Sequence, residues 1–223
     1  MTRHDESSEE RTFTAKGLAT RERIVEASAT LMYSGGVAGT SWEDVQNGAG
    51  VSASQLYHYF GDKHGLVRAV IAHQTRAILE SQQPLLASLD SLEALRAWRD
   101  FLVEGRRQIH CQGGCPLGSL TGELFEAHPE CREELVDGFD RWESAIRDGL
   151  QAMYDRGDLN RNADPGRLAT ALLATLEGGL VLSQVHRDVE PLEAALDTIL
   201  EHIASLVTKR RSESRRLEGR KAR

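Results

Sequence analysis

Cysteine is scarce in this 223-residue chain. The three present, Cys111, Cys115 and Cys131, are too few and too odd in number for a disulfide framework. Free thiols in a reducing compartment are the expectation. Cys111 and Cys115 flank a Gly-Gly pair beside His110, but no fourth ligand stands at zinc-like spacing, so neither a metal nor another cofactor is expected. Long hydrophobic runs are missing too. The apolar stretches are short and broken by charge, which leaves no expected membrane span and no membrane partner. The first ten residues are polar and acidic, unlike a secretory leader, and the reading is a cytoplasmic protein. Alternation of period two is nowhere sustained, which excludes a substantial sheet. What is present, 40% hydrophobic and 27% charged residues, is ordinary for a globular chain long enough to bury a real core.

An excess of positive charge is the next absence. The formal net charge is -7 at pH 7, which does not suit a polyanionic partner, so its distribution matters more than its total. Residues 1–65 carry six Lys/Arg against nine Asp/Glu, four of the acids lying in the first ten residues. Residues 66–208 carry thirteen against twenty-three, and residues 209–223 eight against two. Only the tail is basic. Charge alone does not lead to nucleic acid.

The periodicity of the chain is helical throughout. Ile24, Ala27 and Leu31 share one face of a helix from Arg21, which Gly35-Gly36 ends. Ser41 followed by Asp44 fits a capping box before a short helix over Trp42–Ala49. Ser52 caps another short helix reaching Phe60, and Val45, Ala49, Val51, Leu56 and Phe60 close a common core. Two short helices joined through a glycine have the form of a helix-turn-helix. Longer helices are expected over 63–82, 91–110, 117–127, 129–156, 165–185 and 191–207, with Pro129 and Pro165 suited to first turns. The fold class is all-α, with about nine helices.

The segment from Arg23 to Leu66, RIVEASATLMYSGGVAGTSWEDVQNGAGVSASQLYHYFGDKHGL, closely resembles the N-terminal domain of the TetR family of transcriptional regulators. The most specific pieces are Gly36 with Thr40-Ser41, Ala49-Gly50-Val51-Ser52, and Leu56-Tyr57-His58-Tyr59-Phe60 followed by Lys63. The polar, aperiodic start (1–17) reads as a disordered arm and the charge-rich end (209–223) as a disordered basic tail; between them the resemblance implies a three-helix DNA-binding domain (18–63) and a larger ligand-binding and dimerisation domain (64–208). It also implies a homodimer on palindromic double-stranded operator DNA, a small-molecule effector and no enzymatic activity. The third helix would enter the major groove, with Ser52, Ala53 and Ser54 short enough for close approach and Gln55 able to pair bidentately with adenine. Tyr57 would touch a thymine methyl or a phosphate, or else pack on a neighbouring helix. His58, Tyr59 and Lys63 would hold phosphates, as would Thr40, Ser41 or Trp42, although Ser41 equally suits pure capping. His64-Gly65 departs from the family pattern, and Gly65 should weaken the next helix by roughly 1 kcal/mol relative to alanine.

In the second domain, the segment from His110 to Leu120 is similar to the branch of LmrA- and YxaF-like regulators, which implies a small, largely apolar effector. Trp98, Phe101, Leu117, Phe125, Trp142 and Leu176 are candidate pocket walls, with Glu177 or Gln184 as polar partners, although aromatics at helical spacing are often plain core. The resemblance points to a dimer interface through Leu172, Leu176, Gly179, Leu180 and Ser183 with Leu196, Ile199, Leu200 and Ile203. The alternative is that both stripes pack within their own domain. Two further readings stand beside the ligand-released repressor: a thiol sensor acting through Cys111 and Cys115, and an enzyme carrying a DNA-binding module.

Overall fold

The structure, a computed structural model, describes residues 13–208; residues 1–12 of the arm and the tail from 209 lie outside the described residues. These residues form α1 (Ala15–Gly35), α2 (Trp42–Ala49), α3 (Ala53–Phe60), α4 (Lys63–Ser81), α5 (Leu92–Gln108), α6 (Pro116–Leu124), α7 (Arg132–Asp155), α8 (Pro165–His186) and α9 (Glu190–Ser205). Short 3-10 turns cover Leu86–Ser88 and Pro129–Cys131. The only β pairing among the described residues is an isolated bridge between Leu159 and Val207. The all-α expectation holds. The arm is shorter than expected: the Thr14 hydroxyl accepts the Gly17 N–H, and α1 begins at Ala15.

The chain divides into two compact units, one up to His73 and one from Gln74. The boundary therefore lies inside α4, about ten residues beyond the expected end of the first domain. In the first unit, Ile24, Val25, Ala29 and Met32 of α1 pack with Val45, Ala49 and Leu56, all buried. Val51 and Phe60 are only partly covered, and Arg21 lies over the Phe60 ring at 5.3 Å.

The second unit is a bundle in which α8 packs against both α7 and α9. Its core holds Leu95, Trp98, Leu135, Ile146, Leu172, Leu176 and Leu196. Arg99 on α5 donates two 2.8 Å bonds to the carboxylate of Asp197 on α9, fixing their register. One expectation about membranes needs correction. α8, 22 residues with an 18-residue stretch of mean hydropathy 1.5, is long and apolar enough to cross a bilayer. Nine of its residues are buried within the bundle, as in the core helix of a helical domain.

Candidate nucleic-acid interface and ligand cavity

Two successive capping boxes build the first site. The Ser41 hydroxyl accepts the Asp44 N–H at 3.1 Å, and the Asp44 carboxylate accepts the Ser41 N–H at 2.8 Å. The bonds from Ser41 hold the Asp44 carboxyl below its usual range. At α3, the Ser52 hydroxyl accepts the Gln55 N–H at 3.3 Å, and Gln55 Oε1 accepts the Ser52 N–H at 3.0 Å. Each box satisfies amides that a helix N-terminus leaves open. Ser52, Ala53, Ser54, Gln55, Tyr57 and His58 are all exposed, so the start and outer face of α3 are accessible.

Several expected DNA contacts take other roles. Thr40 is buried, and its hydroxyl donates to the Gly36 carbonyl at 2.8 Å, tying the α1–α2 loop instead of facing outward. Lys63 Nζ donates to the Val37 carbonyl at 2.8 Å, which draws the ammonium toward the same loop. Gln55 Oε1 accepts both the Ser52 N–H and, at 3.3 Å, the Ser52 hydroxyl, so its two lone pairs are taken while it caps α3 and only Nε2 is left for adenine. Trp42 lies 5.5 Å from Tyr57 between ring centroids, so the two present one aromatic surface across α2 and α3. Tyr59 is half-buried against Phe13, with ring centroids 5.1 Å apart. Phe13, placed in the arm by sequence reasoning, thus braces the C-terminal end of α3.

The second site is a cavity of about 210 Å³ in the helical bundle, with Phe101, Leu102, Ile109, Trp142, Leu176 and Leu180 among its walls. Three of the expected wall residues, Phe101, Trp142 and Leu176, are therefore brought together. The others are not. Trp98 is fully buried, and its Nε1 donates to Gln82 Oε1 at 2.8 Å, which makes it satisfied core. Leu117 packs beside Gly138. Phe125 lies at the end of α6 under the Arg132 guanidinium, 5.3 Å from the ring centroid. Sequence reasoning missed Ile78, Ser81 and Gln82, which add the end of α4 and the residue after it to the wall.

Glu177 and Gln184 approach the chain on either side of Cys115, itself a wall residue. A side chain at Gly118 would meet Glu177 Oε2 at 2.7 Å, and one at Gly114 would meet Gln184 Oε1 at 2.6 Å. Burial raises the Glu177 carboxyl above its ordinary range, opposed by its bond with Cys115 and by the charge of Arg106. Burial, and next the Glu177 charge, push the Cys115 thiol far above its usual range. All three cysteines are free and buried. A sensing thiol has to reach the thiolate form, and Cys115 is held away from it.

The expected dimer stripes face inward. Leu172, Leu176, Gly179, Leu180, Ser183, Leu196, Leu200 and Ile203 are buried in the chain's own bundle, and Ile199 is partly covered. The reason is the close approach of α8 and α9: a side chain at Gly179 would lie 2.9 Å from the Leu192 side chain. The open face of α8 instead carries Ala171, Ala174, Gly178, Val181, Leu182 and Val185 at helical spacing. Val181, Leu182 and Val185 are 53%, 51% and 69% exposed.

Comparison with known proteins matches both units. Residues 24–70 match the family described as bacterial regulatory proteins, tetR family. Residues 91–199 match the family described as Tetracyclin repressor-like, C-terminal domain. The chain belongs to the TetR family of transcriptional regulators. It is 29% identical over 188 residues to an uncharacterized HTH-type transcriptional regulator in the lacX 3' region of Lactococcus lactis, covering 81% of this chain and 91% of that one. It is 26% identical over 194 residues to the HTH-type regulator YxaF of Bacillus subtilis, covering 85% and 96%. A crystal structure of a TetR transcriptional regulator from Chloroflexus aurantiacus superimposes with a TM-score of 0.74 at 27% identity, covering 87% and 98%. The helix-turn-helix of this TetR-family chain is thus the two capped helices α2 and α3.

Proposed function

We propose that this protein is a cytoplasmic, homodimeric repressor that leaves its operator DNA when a small molecule fills the bundle cavity. The observation that carries the DNA-binding half is the exposed, capped N-terminus of α3. Three short residues, Ser52, Ala53 and Ser54, leave its amides approachable by a phosphate or a base edge. On this reading Ser41, Ser52, Ser54, His58 and the Trp42–Tyr57 surface touch the duplex. Thr40 and Lys63 act indirectly, by holding the loop before α2.

The family description of the C-terminal unit, repressor-like, supports repression. The cavity supports the sensing half. α4 carries Lys63 in its first turn and Ile78 and Ser81 in its last two, so one helix belongs to the DNA-binding unit and to the cavity wall. A ligand shifts such a system only by its differential affinity for the two conformations. The open apolar face of α8 supports a two-fold dimer, which would match a palindromic operator. The test is a mobility-shift titration with the intergenic DNA beside the protein's own gene. A saturable, salt-sensitive complex is expected, and its absence with all flanking DNA overturns the reading.

A further inference from the structure

The described DNA-binding unit holds five Lys and Arg side chains: Lys16, Arg21, Arg23, Lys63 and Arg68. Lys63 donates to the Val37 carbonyl, and Arg68 is engaged as well. Lys16 and Arg23 are exposed on α1. Arg21 differs from all four. It is partly covered, its guanidinium carbon lies 5.3 Å from the centroid of the Phe60 ring, and no carboxylate pairs with it among the described residues.

A stack on a ring occupies one face of a guanidinium and leaves its in-plane N–H donors available. The ring also steadies the long side chain, so less rotamer entropy is lost when an anion arrives. The position suits a duplex. Phe60 is the last residue of α3, and its ring centroid lies 6.3 Å from that of Tyr59. The Tyr59 hydroxyl reaches the first turn of α1, 3.6 Å from where a Gly17 side chain would begin. Gly17 and Arg21 are one turn apart on the same row of α1. Arg21 and the Tyr59 hydroxyl therefore share the seam between α1 and the end of α3, beside the exposed His58.

We propose that Arg21 is a further DNA-binding residue, held on the Phe60 ring so that its outer N–H groups meet a backbone phosphate of the duplex. The proposal rests on the DNA-binding reading above and extends that surface from α2 and α3 to α1. A phosphate contact sets register and carries no sequence information, so Arg21 acts alike on all sequences. The competing role is structural: a cation at the C-terminal end of α3 complements the helix dipole, and its removal would show in stability alone.

The experiment is fluorescence-anisotropy titration of the full chain, from about 50 to 200 mM salt, on two duplexes of equal length. One is the intergenic DNA beside its own gene and the other an unrelated sequence. Arg21→Met keeps a flexible stem over Phe60 and removes the charge. It should weaken binding to both duplexes by roughly ten- to hundredfold at about 0.1 M salt. The slope of log affinity against log salt should become shallower by about 1.8 per dimer, about 0.9 for each of two phosphates. Arg21→Lys retains the charge and should retain the slope. Arg23→Met, on the row of α1 whose Ala27 and Leu31 face Gly48 of α2, should leave the slope within about 0.5 of wild type. Should Arg21→Met not fold, Arg21→Gln makes the same charge change and carries the same expectation. An unchanged slope for the uncharged Arg21 variant overturns the proposal, even where its melting temperature falls. An equal change for Arg23→Met, a slope lost in Arg21→Lys, or no binding to either duplex also overturns it. Equal wild-type affinity for the two duplexes would remove the operator reading and leave the Arg21 comparison standing.

Discussion

Gln55→Ala separates two jobs that one side chain cannot perform at once. In the free protein Gln55 Oε1 accepts the Ser52 N–H at 3.0 Å and completes the capping box of α3. Losing half of such a box on an exposed eight-residue helix costs roughly 0.5–1 kcal/mol. In a chain of this size that lowers the melting temperature by about 1–4 °C. On DNA, a bidentate amide–adenine pair discriminates by roughly 1–3 kcal/mol. With the oxygen retained as a cap, only the Nε2 donor is left, and one hydrogen bond is worth about 0.5–1.5 kcal/mol. Gln55→Ala should therefore cost less than about tenfold in operator affinity and should leave no strict demand for adenine at any pair. Gln55→Glu retains the acceptor and should melt no lower than wild type. The assays are thermal melts and fluorescence-anisotropy titrations on operators substituted one base pair at a time. An unchanged melt for Gln55→Ala, with a loss of a hundredfold that depends on one adenine, would refute the capping argument.

Three other outcomes are expected. Gly65→Ala should destabilise the protein by about 1 kcal/mol or more in a denaturant titration, because a methyl group there would overlap the Phe60 carbonyl; helix propensity alone predicts a gain of similar size. Val181→Asp with Val185→Asp should shift the protein toward monomer in analytical ultracentrifugation and weaken operator binding, while the fold, in which both residues are exposed, is retained. Glu177→Gln addresses pH. The native Glu177 carboxyl titrates above its unfolded value, so the native state holds its proton longer, and this group's contribution favours folding at low pH and is lost as pH rises from the unfolded to the folded value. Glu177→Gln should remove that loss, so its gain over wild type should grow through that window and then stay level in melts taken across pH.

Local signals carried most of the helix map. The box Ser41–Asp44, the Ser52 cap, the glycines at 35–36, 50 and 61, and the prolines at 165 and 191 mark ends that the structure places within a residue or two. The start of α1 was less visible, because Thr14 is followed by Ala15, Lys16 and Gly17, which show no apolar period. Faces were harder to assign than elements. α8 is apolar almost all round, so its period cannot tell the side that meets α9 from the side left open. Leu172 and Leu176 went inward, and the smaller Ala171, Ala174 and Gly178 remained outside. Lys63 and Thr40 fit the phosphate role by type, but their carbonyl partners Val37 and Gly36 appear only when the α1–α2 loop is folded. Likewise nothing in the spacing distinguishes Trp98 from Trp142; the difference is Gln82, which satisfies one indole and not the other.

The measurement closest to the central claim is operator affinity as a function of salt. The described DNA-binding unit is nearly charge-balanced and ties Lys63 to the protein, so few cations are left to displace counterions from the duplex. A saturable complex is predicted whose log affinity falls against log salt with a slope of about -2 to -5 per dimer, well short of about -10 for a phosphate-rich interface. The absence of any saturable complex at low salt would contradict the account, and a slope near -10 would contradict the interface described for α2 and α3.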